Sequence, residues 1–154
     1  MDSRRTQRGF SLVETLVVIG ITAAFAALTL FADVNSFRGD AFRAEVNSLA
    51  RTLQTARANA LNNIDQEKHG VAIRPAGYDG YVLFEGDSYA DRNSARDVRI
   101  TSSYGVVIAP GSPAEIVFDQ LSGSTNYDGN ITLTDPERAV AAVISINHEG
   151  RINW

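Results

Sequence analysis

Arg8-Gly9-Phe10-Ser11-Leu12-Val13-Glu14 opens an apolar run that continues to Phe31. Among the 22 residues from Phe10 to Phe31, Glu14 is the only formal charge. At about 1.5 Å rise per residue the run makes roughly 33 Å of helix, enough for a hydrocarbon core of about 30 Å. A carboxylate four residues into such a segment costs roughly 2.5–3.5 kcal/mol on insertion scales at mid-membrane, and less near the edge. Glu14 therefore marks a functional site by default.

The residues before the run are basic: Arg4, Arg5 and Arg8. By the positive-inside rule they stay in the cytoplasm, and the C-terminal bulk lies outside. A cleaved secretory signal also starts this way, and Ala24-Phe25-Ala26 offers the small residues its cleavage needs, so that reading stays open. The chain has 154 residues and no Cys. That excludes disulfides, thiolate metal sites, a Cys nucleophile and a lipid-carrying Cys. The formal net charge is −4, which does not favour a polyanionic partner.

Beyond the apolar run, Phe42, Val46, Leu49, Ala50, Leu53, Ala56, Ala60, Leu61 and Ile64 recur at spacings of three and four. They mark one helical stripe, expected to bury against a C-terminal sheet. Arg43, Glu45, Arg51 and Arg57 fall off it. No Pro precedes Pro75, so one helix is expected almost continuously from Phe10 to Asn63. Its weak point is Asp33 to Asp40, where Asn35, Ser36 and Gly39 lower helix propensity and a bend or frayed turn is expected. Short β-rich runs follow: Val71–Arg74, Tyr81–Phe84, Val98–Thr101, Val106–Ala109, Glu115–Phe118, Ile131–Thr134, Val140–Asn147 and Arg151–Trp154. Gly, Pro, Asn and Asp separate them, which indicates antiparallel strands. Asp128-Gly129 reads as a hairpin dipeptide.

Gly9-Phe10-Ser11-Leu12-Val13-Glu14 resembles the leader junction of type IV pilins and type II secretion pseudopilins. Ala56-Arg57-Ala58-Asn59-Ala60 is similar to a segment of the GspH/FimT family, with Ala58 and Asn59 where that family has Ser and Glu. The stretches Phe118–Gly123 and Val143–Ile152, the latter with Gly150-Arg151, resemble the family's later turn and closing hairpin. Asp79 to Ser103 matches nothing in the family's pattern.

The resemblance implies a pilin-like α+β fold. A leader (1–9) precedes a transmembrane helix (10–31), the periplasmic half of the same helix (32–64) and a β-rich head (65–154). It implies cleavage between Gly9 and Phe10 by a prepilin peptidase, N-methylation of Phe10, and passage from the inner membrane into a filament through an ATPase-driven assembly platform. Glu14 would pair with the amine freed on a neighbouring subunit's helix, because a carboxylate and an ammonium in hydrocarbon cost far less together than apart. Axial register follows, as one polar residue sets register in a coiled coil. The expected function is that of a structural minor pseudopilin of type II secretion, at or near the tip. The alternative is a FimT-like minor pilin serving pilus priming or DNA uptake.

Other sites are weak. His69 and His148 lack carboxylates at ligand spacing and read as surface or capping residues. Glu85, Asp87, Asp91 and Asp97 suggest calcium, but Arg92, Arg96 and Arg99 interleave with them and a solvated loop is expected. No catalytic residue, metal or cofactor is expected. The DNA-capture motif of FimT-like pilins is Gly-Arg-x-Arg; here it reads Gly150-Arg151-Ile152-Asn153. Arg151 is the sole nucleic-acid candidate, and one Arg releases few counterions.

Loss of residues 1–9 removes Arg4, Arg5, Arg8 and Asp2 and leaves a formal charge of −6. Mass spectrometry of protein from cells with an active prepilin peptidase is expected to find methylated Phe10 at the N-terminus. A terminus after Ala26 supports the secretory signal, and retention of residues 1–9 contradicts both readings.

Overall fold

The computed structural model describes residues 11–102 and 105–154, and within them the side chains of all but residues 29–38. The leader and the Gly9–Phe10 junction lie outside the described residues. One helix, α1, spans Leu12–Leu61. Its backbone assignment is unbroken across Asp33–Asp40, so the expected frayed turn is absent. The chain still divides into two compact units at this place, Met1–Gly39 and Asp40–Trp154. Among the described residues no helix is long and apolar enough to cross a membrane. Both ends of the expected Phe10–Phe31 span, at Phe10 and the side chains of 29–31, fall outside what is described.

The second unit carries eight strands: β1 (His69–Ile73), β2 (Gly80–Glu85), β3 (Val98–Thr101), β4 (Val107–Ile108), β5 (Glu115–Phe118), β6 (Gly129–Asp135), β7 (Val140–Ile146) and β8 (Ile152–Asn153). All eight expected runs are strands. They form two sheets rather than one, ordered β3-β2-β1-β5 and β4-β6-β7-β8, with antiparallel pairing throughout. Asp128-Gly129 is not a tight hairpin. It ends the loop that carries the chain from β5 in the first sheet to β6 in the second. The tight turn joins β6 to β7, where Asp135 Oδ1 accepts from the Glu137 and Arg138 amides at 3.1 and 3.3 Å.

The helical stripe is the core. Phe42, Val46, Leu49, Ala50, Leu53, Ala56 and Ala60 are buried in one cluster with Val71, Ile73, Tyr81, Ile116 and Phe118 of the first sheet and Ile131, Leu133, Ile144 and Ile146 of the second. Each fully buried Leu or Ile contributes about 1.5–3 kcal/mol by leaving water. The three Ala on the stripe add little bulk where the helix meets the sheets. Leu61 and Ile64, expected on the stripe, are exposed, because α1 ends at Leu61 and the chain turns off through a 3-10 turn at Ile64–Gln66. The outer face of the first sheet holds a second cluster, Ala72, Val82 and Phe84, covered by Tyr78, Tyr89 and Val117.

Two residues that fall off the stripe are engaged by the rest of the head, Glu45 buried and Arg57 half-buried. Glu45 is 1 % exposed and accepts from Tyr81 Oη at 2.6 Å and from Ser102 Oγ. Burial first, then the bond to Glu45, pushes the Tyr81 phenol well above its ordinary pKa, so it stays a donor. Arg57 ties α1 to two turns: its Nε donates to Gly123 O at 3.3 Å and its NH2 group to Glu149 O at 3.0 Å. Gly123 and Gly150 sit in those turns at φ +61 and +71, and a Cβ on Gly150 would lie 2.0 Å from Gly123 O. Only glycine meets both the left-handed backbone and the contact. In thermal unfolding Gly150→Ala is expected to cost roughly 2 kcal/mol, about 8 °C in Tm. An unchanged Tm would show that the two turns do not touch.

Candidate functional site

The first unit is described from Ser11. Ser11 O accepts from the Thr15 amide at 3.1 Å and starts the helix. Glu14 lies in the first turn of α1, where the helix dipole favours a carboxylate. Leu12, Leu16, Phe25 and Leu28 are each more than half exposed, and Val13, Val17, Val18, Ile19 and Ile21 are uncovered with them. The hydroxyls on this segment are satisfied locally. Thr15 donates to Ser11 O at 3.3 Å, and Thr22 donates to Val18 O and Ile19 O at 2.9 and 3.0 Å. Among the described residues no group is paired with the Glu14 carboxylate. The segment is thus an apolar rod with one polar group that its own helix does not satisfy. Gly9 and Phe10, the other expected site residues, are outside the described residues.

Arg151 stands in the turn between β7 and β8. Its backbone N–H donates to Asn147 Oδ1 at 2.8 Å, and Asn147 N–H donates back to Arg151 O at 3.2 Å. Its guanidinium is exposed. Trp154, which a nucleic-acid site would use for stacking, is half-exposed, and its Nε1 donates to Asn47 Oδ1 of α1 at 3.0 Å. In the Gly150-Arg151 pair the glycine has a packing reason, the contact with Gly123. The Arg57 clamp, which sequence reasoning missed, lies behind it.

The mixed-charge stretch after β2 covers the outer face of the first sheet. Tyr89 packs edge-on against Phe84 at 5.7 Å, and the Arg92 guanidinium sits 3.6 Å over the Tyr89 ring. Arg92 Nε bonds both oxygens of Asp97 at 3.0 Å, and Tyr89 N–H bonds Glu115 Oε2 at 2.7 Å. Glu85 pairs with Arg96, Asp87 with Lys68, and Asp91 with Ser88. The carboxylates are dispersed among cations and do not converge on a point. Among the described residues no three metal-ligating side chains form a group. His69 is buried, not a surface residue, and its Nε2 meets Ile64 O at 3.0 Å under the 3-10 turn. His148 is exposed, 3.6 Å from Asp128.

Comparison with known proteins accords with both halves of the chain. The prokaryotic N-terminal methylation motif matches residues 4–30, and the family described as type II transport protein GspH matches residues 45–150. No curated protein matches the chain. The fold is similar to the crystal structure of the type IV minor pilin FimU from Pseudomonas aeruginosa strain PAO1. That likeness has a TM-score of 0.52 at 18% identity and covers 72% of this chain and 90% of FimU. It establishes the pilin-like α+β architecture of one long helix and an antiparallel β head. Taken with the GspH match over most of the head, it means that this chain belongs to the GspH family and carries a prepilin-type methylation motif at its N-terminal end.

Proposed function

We propose that the protein is a minor pseudopilin of a type II secretion system, anchored in the inner membrane with its head in the periplasm and drawn into a filament at or near its tip. The observation that carries this reading is the exposed apolar face of Leu12–Leu28 with one carboxylate, Glu14, in its first turn, unpaired among the described residues. An exposed apolar rod calls for lipid first and other helices second. A prepilin peptidase cuts between Gly9 and Phe10, and the new amine on Phe10 is methylated. Glu14 of one subunit then meets the terminal ammonium of a neighbour, which neutralises both charges in a low-dielectric bundle. The assembly platform and the other pseudopilins are the partners. The chain acts as a structural part and not as an enzyme.

A second reading, a minor pilin of a type IV pilus, is favoured by the fold likeness to the minor pilin FimU. The assembly physics is the same in either machine. Nucleic acid is a poor partner for an acidic chain whose one candidate contact is Arg151.

Two measurements check these statements. In membranes, Glu14→Ala is expected to insert as well as the wild type. Its recovery in sheared filaments should fall on the order of ten-fold or more, because the neighbour's ammonium is left unpaired. Normal incorporation would end the pairing mechanism. Deleting the chain from its own host should stop export of secreted proteins and leave surface pili and their motility intact; loss of pili with export intact supports the second reading.

A further inference from the structure

The first sheet has an edge beside α1. β3 is its edge strand, and among the described residues nothing pairs with the other side of β3. Along that edge an open groove of about 570 Å³ runs between the flank of α1 and the inner face of the sheet. Ser48, Arg51 and Thr55 line the helix side, and Leu83, Val98 and Ile100 the sheet side. Val98 is 53% exposed although its cross-strand neighbour Leu83 packs into the core cluster. The apolar floor therefore continues to the edge and stops without a cover.

The backbone of the edge is available. Ser102 N–H donates to Asp79 O of the β2 side at 3.2 Å. By antiparallel alternation Val98 and Ile100 also face β2, while Arg99 and Thr101 turn their N–H groups outward. The groove has one ionisable lining residue, Arg51. Among the described residues no carboxylate pairs with its guanidinium. In a chain of net charge −4, an unpaired cation above an apolar floor selects for an acidic occupant.

We propose that this groove receives an extended segment of another protein, added as a fifth strand on the free edge of β3. The Arg99 and Thr101 amides hold its backbone. Its inward side chains alternate with the pleat and fill the groove, an apolar one against Val98 and Ile100 and a Glu or Asp against Arg51. An added strand sits about 4.8 Å from β3, which brings those side chains opposite the Ser48–Thr55 flank that now has no strand facing it. The site lies wholly in the Asp40–Trp154 unit, so it stands or falls separately from the pairing assigned to Glu14.

The test uses the full chain in detergent micelles and a labelled peptide, Ser-Val-Thr-Glu-Thr-Val-Ser, whose Val and Glu share one face of the pleat, blocked at both ends, with binding read by fluorescence anisotropy. The peptide is expected to bind, and the same peptide with Gln in place of Glu to bind about ten-fold more weakly. Arg51→Gln, at an exposed helix position, should erase that difference and leave affinity for the Gln peptide unchanged. Arg99→Pro, which removes an outward N–H, should abolish binding of both peptides, whereas Arg99→Ala should not. Thermal unfolding of each variant runs alongside, and the Arg51→Gln comparison decides the matter if Arg99→Pro does not fold. Four results overturn the proposal: no binding, equal affinity for the two peptides, a Glu preference that survives Arg51→Gln, or groove occupation by a second copy, seen as dimerisation that the peptide does not disturb.

Discussion

The two sheets of the head cohere through α1. No strand of one pairs with a strand of the other among the described residues, yet residues from both lie in one buried cluster with Phe42, Val46, Leu49, Leu53 and Ala56. A helix that serves two sheets needs a wider buried arc than a helix lying on one. This explains why, on opposite flanks of the stripe, Glu45 is buried and Arg57 half-buried. Their polar ends are then met by groups from the sheets and turns: Tyr81 and Ser102 for Glu45, the Gly123 and Glu149 carbonyls for Arg57. A buried charge without such partners would cost several kcal/mol.

The same helix changes its surroundings at Gly39/Asp40. Beyond that point its apolar stripe is covered by the sheets, and before it, among the described residues, the large apolar side chains from Leu12 to Leu28 are exposed. One continuous helix thus carries a buried stripe in the second unit and an exposed apolar segment in the first. Between Ser11 and Leu28 Glu14 is the one charged residue, set in the first turn of the helix. Membership of the GspH family and the methylation motif over residues 4–30 fit this division.

Much of this was legible from residues alone. The Phe42–Ala60 periodicity located the core face, and alternation located every strand to within two residues at either end. The methylation motif was legible in the coincidence of Gly9-Phe10 with Glu14 in an otherwise apolar run. Three features were not legible. A division into two sheets depends on the loop from Asp119 to Asp128 changing layers, and no local pattern encodes a change of layer. Glu45 and Arg57 fall off the stripe in the sequence because a stripe drawn for one sheet is narrower than one drawn for two. The stretch from Asp87 to Asp97 resembled a solvated loop, since its role depends on Tyr89 reaching Phe84 across the sheet. A small signal was present there: an aromatic set among charges, with Arg92 three residues on.

Native-state hydrogen exchange on the full chain in detergent micelles tests the shared core most directly. If the stripe of α1 holds the sheets together, the amides of β1 and those of β6 and β7 open with the same free energy and the same denaturant dependence. Both should then fall together in Leu53→Ala, by about 2–5 kcal/mol. Separate opening energies for the two sheets, with one of them untouched by that substitution, would contradict it.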